Sequence, residues 1–118
     1  MTEPLLAAMA VGIGGAAGAL ARHAVGLAIE SRWSLVVVNT LGSFALGVVI
    51  GVPTGPSATL AVGVGFCGAF TTFSSFAVET VTTAEAGDPG TATAFAALNV
   101  VAAVAALLTG SGLALVVT

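Results

Sequence analysis

Lysine and tyrosine are absent from this chain, and cysteine and histidine occur once each. Arg22 and Arg32 are its only basic side chains, set against Glu3, Glu30, Glu79, Glu85 and Asp88. A nucleic-acid surface needs a basic patch, so no nucleic-acid partner is expected. The lone Cys67 excludes an intrachain disulfide and gives no basis for a cysteine metal cluster. A hydrolytic triad pairs a histidine with an acid and a nucleophile, yet His23 is expected at a membrane boundary with no such motif around it. Gly12-Ile13-Gly14 opens no βαβ unit, so phosphate loops and dinucleotide fingerprints are missing too. An enzyme is not expected.

Charge is the largest deficit. Only 6% of the 118 residues are charged and 58% are hydrophobic, where a soluble domain carries about 25% charged residues to wet its surface. The outer surface must therefore face something apolar, and lipid fits. The expectation is a multi-pass protein of the cell membrane, one all-α transmembrane domain over residues 1–118. Met1-Thr2-Glu3-Pro4 has no basic segment, so the first apolar stretch reads as a retained helix and not a cleaved signal.

Charges and turn residues divide the chain into four apolar spans: Leu5 to Ile29, Ser34 to Val52, Ala58 to Val78 and Thr91 to Val117. Each approaches or exceeds the roughly 20 residues that cross a hydrocarbon core about 30 Å thick. Glu30-Ser31-Arg32-Trp33 supplies charges and an interfacial tryptophan between the first two spans. Pro53-Thr54-Gly55-Pro56-Ser57 and Glu85-Ala86-Gly87-Asp88-Pro89-Gly90 are turns. Both arginines lie toward the side opposite the termini, so the positive-inside rule puts the first and third loops in the cytoplasm. Two arginines make a weak bias, which suits a chain that inserts in both orientations or pairs with an oppositely oriented partner.

Gly12, Gly14, Gly15 and Gly18 in the first span, Gly42, Gly47 and Gly51 in the second, and Gly63, Gly65 and Gly68 in the third let helices approach closely in lipid. Four such helices enclose little interior, so a pathway belongs at an interface between subunits.

The stretch that could carry chemistry is Gly68 to Phe76. Thr71, Thr72, Ser74 and Ser75 surround Phe73 near the middle of the third span. Hydroxyl side chains offer the backbone alternative hydrogen bonds, so a local break is predicted here. The same hydroxyls could bond back to the preceding turn and merely bend the helix; the residues alone leave both open. Irregular backbone at that depth is tolerated where it is buried in protein or lines a cavity, and freed carbonyls suit a hard cation. Phe70, Phe73 and Phe76 recur at intervals of three and form a stripe, either plain packing or ring edges turned to an anion. Asn39 sits mid-span, where an unpaired amide is costly, and Ser43 follows on the same face, giving a polar line. Asn99 in the fourth span has no such neighbour. Arg22 can snorkel to the interface or draw anions to a vestibule. Glu79 reads as a helix-end anchor.

Three ordered motifs give the chain a resemblance to the Fluc (CrcB) fluoride channel family: Gly14-Gly15-Ala16-Ala17-Gly18-Ala19-Leu20-Ala21-Arg22-His23, Val38-Asn39-Thr40-Leu41-Gly42-Ser43-Phe44, and Gly68-Ala69-Phe70-Thr71-Thr72-Phe73-Ser74-Ser75-Phe76. The resemblance implies an antiparallel dimer with two fluoride pathways and a structural sodium ion at its centre. By that likeness, main-chain carbonyls of Gly68 and Thr71 from both subunits hold the sodium. Phe73 and Phe76 line the pathway with ring edges, Asn39 donates its amide to the ion, Ser43, Ser74 and Ser75 add hydroxyls, and Arg22 sits at the vestibule. Transport is passive, and the helix question resolves toward a break.

The chain departs from the family twice. Ser34-Leu35-Val36 stands where Gly-Thr-Leu is common, and alanines and valines between Asn99 and Leu108 replace an aromatic and a serine. A second, non-identical copy that supplies those groups keeps a heterodimer open beside a homodimer. A small drug–proton antiporter would need an ionisable residue in mid-membrane, and Leu5 to Ala21 carries none. A purely structural bundle leaves the polar line and the hydroxyl cluster without a role.

Overall fold

Apolar runs with no interior charge wind into helices, because away from water only helices satisfy every main-chain group within one segment. The computed structural model describes residues 2–118. It contains α1 (Thr2–Ala28), α2 (Trp33–Gly51), α3 (Pro56–Ala58), a π-helical stretch (Thr59–Cys67), α4 (Gly68–Phe70), α5 (Ser74–Glu85) and α6 (Pro89–Val117). Among the described residues there is no strand. Four units among the described residues are long and apolar enough to cross a membrane: Thr2–Ala28, Trp33–Gly51, Pro56–Glu85 and Pro89–Val117. The long axis of 53 Å covers a bilayer of about 40–45 Å with its headgroups.

The third span is interrupted where the hydroxyl cluster predicted it. Residues 71–73 are not helical, and Thr71 adopts extended backbone at ψ 163°. The interruption sorts the packing. Before it, the π-helical stretch lies against α1; after it, α5 leans on α6, while α2 and α6 form the most extensive pair. One continuous straight helix could not serve both neighbours in this way.

The surface is inverted relative to a soluble protein. Leu5, Ile13, Leu20, Ile50, Leu108 and Val116 are exposed, whereas Thr72, Thr83 and Asn99 are buried. A lipid solvent rewards that arrangement, since packing and interhelical hydrogen bonds, not burial of apolar surface, hold helices together there. Close approach relies on glycine. A Cβ on Gly14 would strike the Ala61 carbonyl oxygen, and one on Gly18 that of Phe66.

Two expectations are corrected. The third span runs on to Glu85 and not to Val78, because no breaker intervenes before Gly87. Glu79 is therefore no helix-end anchor: it lies within α5 and accepts from Arg32 Nε at 3.0 Å. Both side chains are about one-third exposed, so the pair stabilises by roughly 0–1 kcal/mol. Its role is to tie the first loop to α5.

The α5–α6 corner is built from three consecutive residues. Gly87 takes φ +89°, and its N–H donates to Ala84 O at 3.1 Å while Asp88 N–H donates to Thr83 O at 3.3 Å. This is the paired closure of a helix end that requires a left-handed residue. Asp88 then caps α6, its Oδ1 accepting from Thr91 N–H at 3.1 Å, and Pro89 opens the helix where its missing N–H costs nothing. Hydrogen bonding from Thr91, first its side chain and then its main chain, holds the Asp88 carboxyl below its ordinary value of 3.8. A lowered folded pKa contributes stability that is present above the unfolded value and lost as pH falls through the folded one. Asp88→Ala is thus expected to lower the melting temperature at neutral pH. The gap to wild type should close in acid, once the native carboxyl is protonated, as melting curves at the two pH values would show.

Candidate functional site

A helix that stops in mid-membrane leaves main-chain groups to be satisfied, and Asn39 on α2 does most of this. Its Oδ1 accepts from Thr72 N–H at 2.8 Å, and its Nδ2 donates to Thr72 O at 3.1 Å. The amide thus brackets one residue of the break as a neighbouring main chain would. Its remaining proton goes to Asn99 Oδ1 on α6 at 3.0 Å. Asn99 has no polar residue following it along its own helix face and finds its partner across helices instead: sixty residues separate the two asparagines in sequence, so local spacing could not pair them. The restart of the helix is equally specific. Thr72 Oγ1 accepts from Ser75 N–H at 3.1 Å, the capping that hydroxyls provide at a helix start.

These contacts free two carbonyls. In an unbroken helix Thr72 N–H would bond Gly68 O and Ser75 N–H would bond Thr71 O, four residues back. Both donors are committed elsewhere. Thr71 O instead accepts from Arg22 Nη1 at 3.3 Å, while the Thr71 hydroxyl donates to Cys67 O at 2.8 Å. Beyond its own helical turn, no heavy atom lies within 4 Å of a Cβ built on Gly68, so that side of it is open.

Two recesses flank the break. The larger, an open groove of about 610 Å³, is lined by Asn39, Ser43, Gly68, Thr71, Phe73 and Phe76, together with Asn99 and apolar residues of α6. No charged side chain lines it. The smaller, of about 440 Å³, contains Arg22, His23, Ser34 and Ser75. Thr72 lines both, so the break is the wall between them. Of the residues singled out from sequence, the structure brings Asn39, Ser43, Gly68, Thr71, Phe73 and Phe76 to the groove and Arg22 and Ser75 to the second recess. Ser74 is exposed at the start of α5 and lines neither.

The phenylalanine stripe is corrected. Phe70 is buried and stacks on Phe66, with centroids 5.5 Å apart and planes at 19°. Phe73 instead meets Phe76 at 5.9 Å and 51°. Spacing by three marks a shared face only while the helix continues, and extended Thr71 interrupts it. Phe76 in turn packs on Phe95 at 5.7 Å, and Phe95 on Trp33 at 6.3 Å. Sequence reasoning missed Phe95, which at 1% exposure is the most buried aromatic side chain here. It placed Thr72 in the hydroxyl cluster but missed its capping role, although a hydroxyl three residues before Ser75 N–H is a recognisable cap signal.

The comparisons with known proteins agree with this picture. The family described as "CrcB-like protein, Camphor Resistance (CrcB)" matches residues 9–111. A protein of Natronomonas pharaonis named "Fluoride-specific ion channel FluC 2" is 53% identical over 110 residues, 92% of this chain and 95% of the relative. Haloarcula marismortui has two such relatives. Its "Fluoride-specific ion channel FluC 2" is 50% identical over 107 residues, 88% of this chain and 87% of the relative. Its "Fluoride-specific ion channel FluC 1" is 45% identical over 92 residues, 71% of this chain and 72% of the relative.

Proposed function

The chain belongs to the CrcB family, and from that membership and the geometry of the break we propose that it is a fluoride-selective channel subunit that lets cytoplasmic fluoride leave passively. The observation that carries the reading is a polar break within the third span, with an uncharged groove on one side and a recess that holds Arg22 on the other. A small, strongly hydrated anion gives up water only where donors replace it at close range, and a full buried counter-charge would hold it too long to conduct. The groove is lined by hydroxyl and amide side chains and by Phe73 and Phe76 in place of charge, and a phenyl ring that turns its positive edge to an anion stabilises it. Arg22 in the second recess favours anion entry.

The groove opens on an outer face: Phe73 is 79% exposed and Val64, Val100 and Val104 are each more than half exposed. A single chain does not enclose it. A second copy, inserted in the opposite sense, would supply the missing wall. The paired FluC 1 and FluC 2 relatives in Haloarcula marismortui keep a non-identical partner beside an identical one. The freed carbonyls of Gly68 and Thr71 fit a hard cation, since oxygen dipoles without helical donors are what sodium accepts. Such an ion would supply a fixed positive charge shared by the two copies. The Arg22 guanidinium on Thr71 O would have to yield that oxygen or share it.

Purified protein in liposomes is expected to release fluoride and retain chloride. Phe73→Ile keeps bulk but removes the ring edge, and should slow release by roughly tenfold, the weight of one aromatic-edge contact of about 1.4 kcal/mol. Silence from this chain alone, and also together with a second family copy, would sink the reading.

A further inference from the structure

We infer that Trp33 and Phe95 are positioning residues that fix the ring plane of Phe76 at the groove, an assignment that rests on the channel reading above. The plane matters because a phenyl ring has a negative face and a positive edge, so only some orientations favour an anion. A phenylalanine does not set that plane by itself, since its second side-chain torsion is broad and nearly two-fold. Neighbours must set it. The main chain before the break gives no help either. Thr71 is extended, so the helix that precedes it does not fix how α5 is turned about its own axis.

The grip comes from the start of α2. Arg32 holds Glu79 at 3.0 Å, and Glu79 lies three residues after Phe76 on the same face of α5. Trp33, the next residue in sequence, reaches Phe76 through α6. Its ring meets Phe95 edge-on, with centroids 6.3 Å apart and planes at 69°, and Phe95 meets Phe76 at 5.7 Å and 33°. Both separations fall in the range that aromatic pairs prefer. The rings differ in how firmly they are held. Phe95 is fully buried, and a close-packed interior keeps such a ring in one orientation. Phe76 borders the open groove, which leaves it unsupported on that side. Phe73, its other ring contact at 5.9 Å, is largely exposed and a poor support. Phe76 therefore takes its plane from Phe95, and Trp33 closes the stack at the first loop.

Trp33→Leu is the discriminating variant, because Trp33 is 46% exposed and its replacement leaves the core filled. Fluoride release from liposomes should fall by about two- to tenfold, the worth of one aromatic pair, while the protein still elutes as the wild-type assembly. Trp33→Tyr, which keeps a ring in place, should stay within about twofold of wild type, below that worth. Phe95→Leu should lose at least as much as Trp33→Leu. The two together should lose no more than Phe95→Leu alone, because Trp33 acts only through Phe95. In bilayers with ring-deuterated phenylalanine, the Phe76 signal is the one missing from Phe76→Leu. It should show a confined ring in wild type and Trp33→Tyr, and wider swings in Trp33→Leu. Equal flux from Trp33→Leu and Trp33→Tyr would overturn the inference. So would losses that multiply in the double variant, a flux loss that merely follows loss of the assembly, or a Phe76 signal that Trp33→Leu leaves unchanged. The Trp33 variants decide the matter even where Phe95→Leu does not assemble. The ring signal needs no conduction, so failure of the channel reading and failure of this inference are told apart.

Discussion

Asn39→Leu should conduct no fluoride above the protein-free background, yet remain folded. The substitution removes partners from Thr72 N–H, Thr72 O and Asn99 Oδ1 together. Main-chain groups orphaned in hydrocarbon cost several kcal/mol each, which alone would predict collapse. The chain has a cheaper escape, because Thr72 N–H can return to Gly68 O and Ser75 N–H to Thr71 O, the partners an unbroken helix provides. Interhelical hydrogen bonds in membrane proteins average about 0.6 kcal/mol in net worth, so healing the helix should limit the loss of stability to roughly 1–3 kcal/mol. Function has no such escape. Healing covers the two freed carbonyls, straightens a span whose halves serve different neighbours, and leaves Asn99 with no fixed orientation. Thermal melting beside liposome flux separates the outcomes. A folded, conducting Asn39→Leu would show that the amide does not hold the break, whereas an unfolded one would show that the helix cannot heal.

The membrane architecture was legible in the sequence because it follows from scarcity: with so few charges, four apolar runs have little choice but to become spanning helices. The break was legible only in part: four hydroxyls around Phe73 beside Gly68 weaken a helix, but they fit a bend as well as a break, and the family resemblance decided between the two. What decides the site is less local. The pairing of Asn39 with Asn99 bridges α2 and α6 and depends on how those helices are rotated, which no spacing within either reveals. Phe70 and Phe73 show the complementary failure. Their interval of three is a valid helical signal, and it misled because one extended residue, Thr71, lies between them. Glu79 looked like a helix end because a polar residue in an apolar run suggests an interface, while its partner Arg32 lies forty-seven positions earlier.

Gly110→Ala should destabilise the protein by roughly 1–3 kcal/mol, while Gly112→Ala, two residues along the same helix, should be neutral or slightly stabilising. The pair isolates close approach from helix propensity, since both changes gain the same ~0.5–1 kcal/mol that alanine holds over glycine in a helix. A Cβ at Gly112 meets nothing within 4 Å, so only that gain remains. At Gly110 it would strike the Phe44 carbonyl oxygen and lie 3.2 Å from Val48 N, both main-chain atoms of α2. Main chain cannot rotate aside as a side chain can, so α6 must back away along its whole contact with α2. In lipid the loss is not cushioned, because packing is what holds the helices together. The contact is also reciprocal: a Cβ at Gly47 would strike the Leu107 carbonyl oxygen and sit 2.9 Å from Ser111 N. Once either alanine has parted the helices, the other finds room already made. Gly47→Ala with Gly110→Ala should therefore cost clearly less than the sum of the two singles, a coupling expected between residues that share one interface. Unfolding titrations in mixed micelles across the four variants measure all of this. Equal stabilities for Gly110→Ala and Gly112→Ala would mean that α2 and α6 do not approach backbone to backbone, and with that the rotation of the helices that brings Asn39 to Asn99 would lose its support.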